Sequence, residues 1–270
     1  MNRYVAFLDI LGFERLVYNN DFQIMVSVME NLKSALDHAN QIPIPVGVSW
    51  RTNDKLIGSS MFSDSILLYT DDDEPYSFCR LIHVTKFLIY NTFSSGIALR
   101  GAIANGEMLA KEDMYMGKPL IEAYKLEEEQ EWCGAYVKDE TIDFVRSYDS
   151  NHIEFLIENA FLVNYNIPFK NSSEGKVKMT SRYNLCVNWA NFDSDSMFEG
   201  RVLAAYPFMW TEIGRFLDDA QSLSQEERDN LYFPLDFSRL REDVQRKIRN
   251  TQEFYFYARD KGVVPISYGR

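Results

Sequence analysis

The stretch "YVAFLDILGF", residues 4–13, sets one carboxylate, Asp9, inside an otherwise apolar run that ends at a glycine and a phenylalanine. Apolar residues in a short block bounded by turn chemistry read as a strand, so residues 4–9 are expected in the core of a sheet. A buried, unpaired carboxylate is costly, and Asp9 therefore needs a hydrogen-bonded turn, a basic partner or a metal ion beside it.

Working outward, Ile24, Val28, Leu32 and Leu36 recur at helical spacing and predict a helix over about 21–39. "PVGVSW" (45–50) reads as a short strand and "TNDK" (52–55) as a turn. "LIGSSMFSDSILLYT" (56–70) predicts a hairpin with "SDS" at its bend. The acidic run Asp71 to Glu74 ahead of Pro75 predicts a solvated loop and a helix start, with a helix over 75–93 burying Phe78, Ile82 and Phe87. "GIALRGAIANGEML" (96–109) predicts a further strand, followed by a loop and a helix over about 117–130. "GAYVKDETIDFV" (134–145) then predicts a strand leading into a helix. This order predicts an α+β fold, a mixed or antiparallel sheet covered by helices.

The character changes near residue 150, which suggests a core over 1–150 and a mainly helical extension over 151–270. "NIPFKNSSEGKVKMTSRYN" (166–184) is loop-rich and basic, with Lys170, Lys176, Lys178 and Arg182. Phe237, Leu240, Val244 and Ile248 form one helical stripe with Asp236 as its expected cap. Arg239, Arg241, Arg246, Lys247 and Arg249 fall on the other faces, either as a solvated surface or as a dimer contact.

The bulk numbers narrow the function. A net charge of -12 over 270 residues lacks the basic surface of a nucleic-acid binder. No apolar run approaches the roughly 20 residues that span a bilayer, and the N-terminal run reads as a strand rather than a signal peptide. The three cysteines and three histidines are scattered, which speaks against a zinc site and for buried thiols in a reducing cytoplasm.

Asp64 lies at the bend of the hairpin, as Asp9 lies at the end of the first strand. If these strands are neighbours, both carboxylates project from one end of the sheet and repel unless a cation lies between them. Hard oxygen ligands completed by phosphate oxygens suit Mg²⁺ or Mn²⁺, and the turn after Asp9 could offer N–H groups to phosphates. Two turn-capping aspartates are the alternative.

These motifs resemble the class III nucleotide cyclases. "FLDILGF" is similar to their first metal motif and "FSDSI" to the second. "LRGAIANGEM" is similar to the following strand and turn, "GKPLIEAYKLE" to the helix with the transition-state residues, and "GAYVKDET" to the next strand and helix. They fall in the family's order over residues 3–148. The resemblance implies a ferredoxin-like cyclase core, a homodimer with active sites at the interface, and two divalent ions held by Asp9, Asp64 and the Ile10 carbonyl. Gly12 and Phe13 would border the phosphates. The reaction implied is attack of a ribose 3′-hydroxyl on the α-phosphate of a nucleoside triphosphate, with release of pyrophosphate.

The departures are informative. The family's ribose-orienting Asn falls on Ile121 and its transition-state Arg on Lys125, which keeps the charge but loses the bidentate fork. Where purine cyclases read the base, this chain has Ser60 and Met114. The pattern resembles a narrower group, the pyrimidine cyclases of the bacterial Pycsar antiphage system. That implies a cytoplasmic enzyme making cyclic UMP, or less readily cyclic CMP, whose effector responds to the product without direct contact, and no nucleic-acid or membrane partner. Trp50 and Arg51 could close a pyrimidine pocket or be ordinary strand and turn residues. Arg100 could face a structural carboxylate or the triphosphate, and Lys125 could be catalytic or solvated. A purine cyclase and a nucleotide-sensing or dimerising module without turnover are the competing readings.

Overall fold

The structure, a computed structural model, describes residues 1–42, 56–170, 181–191, 202 and 240–261. Among these residues eight strands and seven helices form an α+β fold around one mixed sheet. The strands are β1 (Asn2–Ile10), β2 (Gly58–Phe62), β3 (Ser65–Tyr69), β4 (Leu99–Lys111), β5 (Met114–Gly117), β6 (Gly134–Val137), β7 (Leu162–Asn164) and β8 (Leu185–Val187). The helices are α1 (Phe13–Asn19), α2 (Phe22–Gln41), α3 (Pro75–Ser94), α4 (Lys118–Glu128), α5 (Asp139–Tyr148), α6 (Asn151–Glu158) and α7 (Glu242–Ala258).

The sheet runs β2-β3-β1-β4-β6-β8-β7, with β5 paired to β4 as a hairpin. β1 is central and antiparallel to both β3 and β4, whereas β6 runs parallel to β4. Alternation along β1 divides its side chains between two faces. Tyr4, Ala6, Leu8 and Ile10 enter the main core with Leu32 and Leu36 of α2 and Phe78, Ile82 and Ile89 of α3. Val5 and Leu67 point the other way and meet Met108 and Leu120, while Phe7 packs edge-on against Tyr124 of α4 at 5.6 Å. Asp9 shares this second face.

α3 is buried almost all round, and three basic side chains enter with it. Arg80 donates to the carbonyls of Asn40 and of Ile42 (2.6 Å to the latter), satisfying the open end of α2. Lys86 donates to the Ala160 carbonyl at 2.8 Å, and His83 lies between Phe87 and Phe161.

The expected helices over 21–39, 75–93 and 117–130, the 56–70 hairpin and the strands expected at 4–9, 96–109 and from residue 134 are present within a few residues. Beyond the turn expected at "ILGF" (10–13), residues for which no element was expected form α1. Gly12 takes a left-handed conformation (φ 78°), and Leu16 folds back to bond its carbonyl and bury its own side chain. The segments after 150 add β7 and β8 to the same sheet, and α7 seals an aromatic layer. Trp132 meets Phe254 edge-on at 4.6 Å, and Trp189 stacks on Phe93 at 5.0 Å. α7 begins at Glu242, later than the stripe suggested. Phe237, Asp236 and Arg239 lie outside the described residues, as do "PVGVSW" and "TNDK". The three cysteines are free and buried, and among the described residues no helix is long and apolar enough to cross a membrane.

Candidate functional site

The pairing register places Asp9 opposite Ser65 on β3 and opposite Arg100 on β4. The β2–β3 turn is Ser63-Asp64, with Ser63 left-handed (φ 56°), and the Ile10 N–H donates to the Asp64 carbonyl at 2.9 Å. One backbone bond thus ties the end of β1 to the hairpin bend and brings the two aspartates together. The sequence expectation that Asp9 and Asp64 share one end of the sheet is met in this geometry.

The pair is electrostatically unsatisfied. Burial, then the negative charges of Glu127 and Asp64, push the Asp9 carboxyl up to about 7 from an ordinary 3.8. Arg100 opposes that rise, and a side-chain hydrogen bond with Asp64 adds to it. Asp9 is therefore not rescued by a basic neighbour strong enough to hold it ionised.

Arg100 is committed elsewhere. Its guanidinium pairs with Glu127, and it donates to the Gln130 carbonyl at 2.9 Å. Of the two partners left open by the sequence, the structure supplies the structural carboxylate. Glu127 is itself almost fully buried, and burial raises its carboxyl despite Arg100.

Glu127 is the site residue that the sequence reading missed. It sits in the charged run "KLEEEQE", which reads as solvated surface. A signal was present: Pro119, Ala123 and Leu126 form the buried stripe of α4, and Glu127 lies four residues after Ala123 on that stripe.

The other expected site residues are more dispersed. Gly12 caps α1 and Phe13 is its first residue, directly beyond the Asp9 turn. Ser60 is half-buried on β2 opposite Leu67, on the face that carries Asp9. Lys125 projects from α4 into solvent and has no ion pair among the described residues. Ile121 and Met114 are exposed as well. Trp50, Arg51, Lys176 and Lys178 lie outside the described residues.

Among the described residues no group of three or more His, Cys, Asp or Glu side chains is gathered as a metal cage. What the site offers is two facing carboxylates at a strand end, a donor set that fits a hard divalent cation sharing its shell with ligand oxygens. Chemically, such a site can bind a metal–phosphate complex. Compared with known proteins, the chain matches no family model and no curated protein.

Proposed function

We propose that the chain is a pyrimidine nucleotide cyclase, converting UTP, or less readily CTP, to the 3′,5′-cyclic monophosphate and pyrophosphate. The observation that carries this reading is the facing pair Asp9 and Asp64, in which partial burial, then the charges of Glu127 and Asp64, push the Asp9 carboxyl upward. A pair so costly has little reason to exist without a cation. The strand order β2-β3-β1-β4, with α2 and α3 as its crossings, supports a ferredoxin-like cyclase core.

In this reading Asp9 and Asp64 hold Mg²⁺ or Mn²⁺, two ions per site, with the Ile10 carbonyl beside them. Bound there, the metal lowers the pKa of the attacking ribose hydroxyl and offsets phosphate charge. The residues of the chain contribute position: the turn at Gly12 and Phe13 borders the phosphates, and Ser60 leaves room where a purine reader would stand. The exposed apolar side chains Phe62, Met114, Met116, Ile121 and Tyr124 are surface that a second copy would cover in a homodimer. The product would serve as a second messenger in antiphage defence, in the cytoplasm.

A nucleotide-sensing module without turnover is the second reading, favoured by the solvent position of Lys125. The two separate in one experiment. Purified protein is incubated with Mn²⁺ and ATP, GTP, CTP or UTP in turn, and products are identified by mass spectrometry. A cyclic pyrimidine monophosphate is expected, and Asp64→Asn abolishes it while leaving the dimer intact. Metal-dependent nucleotide binding without any cyclic product, or full turnover in the Asp64→Asn protein, refutes the cyclase reading.

A further inference from the structure

A cavity of about 850 Å³ opens between α1 and α2, the size of a groove that takes a ligand or a peptide. Phe13 and Val17, one turn apart on α1, form one wall. Phe22, Met25, Val26 and Met29 form the other, and Glu30, Lys33 and Asp37 continue the same row along α2. These positions keep the three- and four-residue spacing of one helical face over about four turns, or roughly 22 Å. Ser63 of the β2–β3 turn also lines the groove, next to Asp64, and Phe13 directly follows the Gly12 turn. The groove therefore borders both turns of the carboxylate site.

The walls are apolar and open to water: Phe22 is 78% exposed and Val17 42%. A continuous apolar strip of this kind marks a surface that something covers, and methionines in its wall adapt to the shape of the occupant. Charge selects among occupants. Lys33 is the cation of the lining, and it is paired with Asp37. Glu30 is exposed and has no ion pair among the described residues, and the same holds for Glu14 and Asp21, which adjoin Phe13 and Phe22 in the chain. The mouth of the groove is thus acidic, in a chain of net charge -12. An anionic lipid surface would meet like charge there, and two copies docked groove to groove would set acid against acid.

We propose that the α1–α2 groove docks an amphipathic helix of a protein partner, apolar on one face and rich in Lys and Arg beside it. Its apolar face lies over Val17, Phe22 and Met29, and its basic residues meet Glu30 and the acidic neighbours of the groove. The docking surface goes beyond the cyclase reading and is independent of whether the chain turns over a nucleotide.

The test is fluorescence anisotropy of two labelled synthetic helical peptides titrated with the full chain. Each peptide has about four turns, with Leu at helical spacing on one face and either Lys or Glu on the others. Wild type is expected to bind the Lys peptide at least tenfold more tightly than the Glu peptide. Phe22→Ser and Glu30→Lys should each weaken the Lys peptide about tenfold, and both side chains are exposed, so neither change disturbs the core. Glu158→Lys, the same charge change on α6, should leave the affinity unchanged. Equal binding of the two peptides, no binding by wild type, or an equal loss in Glu158→Lys overturns the proposal. Self-association that is lost in Phe22→Ser without any binding of the Lys peptide assigns the groove to a second copy and overturns it. Binding to phosphatidylserine vesicles that is lost in Phe22→Ser, again without binding of the Lys peptide, assigns it to a membrane surface and overturns it as well.

Discussion

Replacing Asp9 by Asn is expected to stabilise the metal-free protein while abolishing its activity. The folded state raises the Asp9 carboxyl from 3.8 to about 7, so it holds a proton that the unfolded chain releases. For an acid raised in this way, the stabilisation is complete below about pH 4 and is lost as pH rises through 7. At pH 8 the ionised group costs at most about 4 kcal/mol, taking ~1.36 kcal/mol per tenfold change. Asp9 is only partly shielded, and solvent screening reduces this to about 2 kcal/mol. For a chain of this size that corresponds to roughly 4–8 °C in Tm. The assay is thermal melting of wild type and Asp9→Asn in a chelator between pH 4 and 8. The two curves should meet at the acid end and separate as pH rises, with the variant the more stable. Adding Mn²⁺ should raise the wild-type Tm and leave the variant unmoved. A variant that melts lower than wild type at pH 8 would show that the carboxylate contributes structural hydrogen bonds, and would refute the reasoning.

Gly101→Ala should be strongly destabilising, because a Cβ there would overlap the Phe7 carbonyl oxygen and the Leu8 side chain on β1. A loss of about 3 kcal/mol in urea unfolding is expected, and a loss under ~0.5 kcal/mol would contradict the close approach of β1 and β4. His83 is held neutral down to about pH 3 by burial and by Arg80 and Lys86. The unfolded chain takes up this proton below its ordinary 6.5, so stability should fall from there toward pH 3. His83→Phe should reduce that acid slope by up to ~1.4 kcal/mol per pH unit, and identical slopes in the two proteins would refute the assignment.

Much of this fold is legible because its elements are long and periodic. α2, α3 and the 56–70 hairpin carry their signal in consecutive residues, and the Asp9 turn is marked by one polar residue in an apolar run. What could not be read depends on contacts distant in sequence. β7 and β8 are three residues each, too short for alternation, and exist because β6 offers an edge to pair with. α1 is seven residues, and its start depends on the left-handed Gly12. The same holds at the site. Asp9 and Asp64 announce themselves locally, whereas the fate of Arg100 was decided by Glu127, hidden in a run of glutamates. The anchorage of α7 appears only when it packs against residues 131–133.

The order of the strands also sets a timetable. β1 precedes the strands it pairs with along the chain yet lies inside the sheet, and its partners on either side are β3 and β4. Ile10 pairs with Leu99, some ninety positions later in the chain. At about 5–20 residues per second of synthesis, one edge of β1 waits roughly 5–20 s for its neighbour. During that interval "YVAFLDILGF" is an apolar strand with an open edge, the kind of segment that invites association with the wrong partner. Asp9 then has a second consequence, as a charge that keeps a nascent sticky segment apart from its copies until β4 arrives.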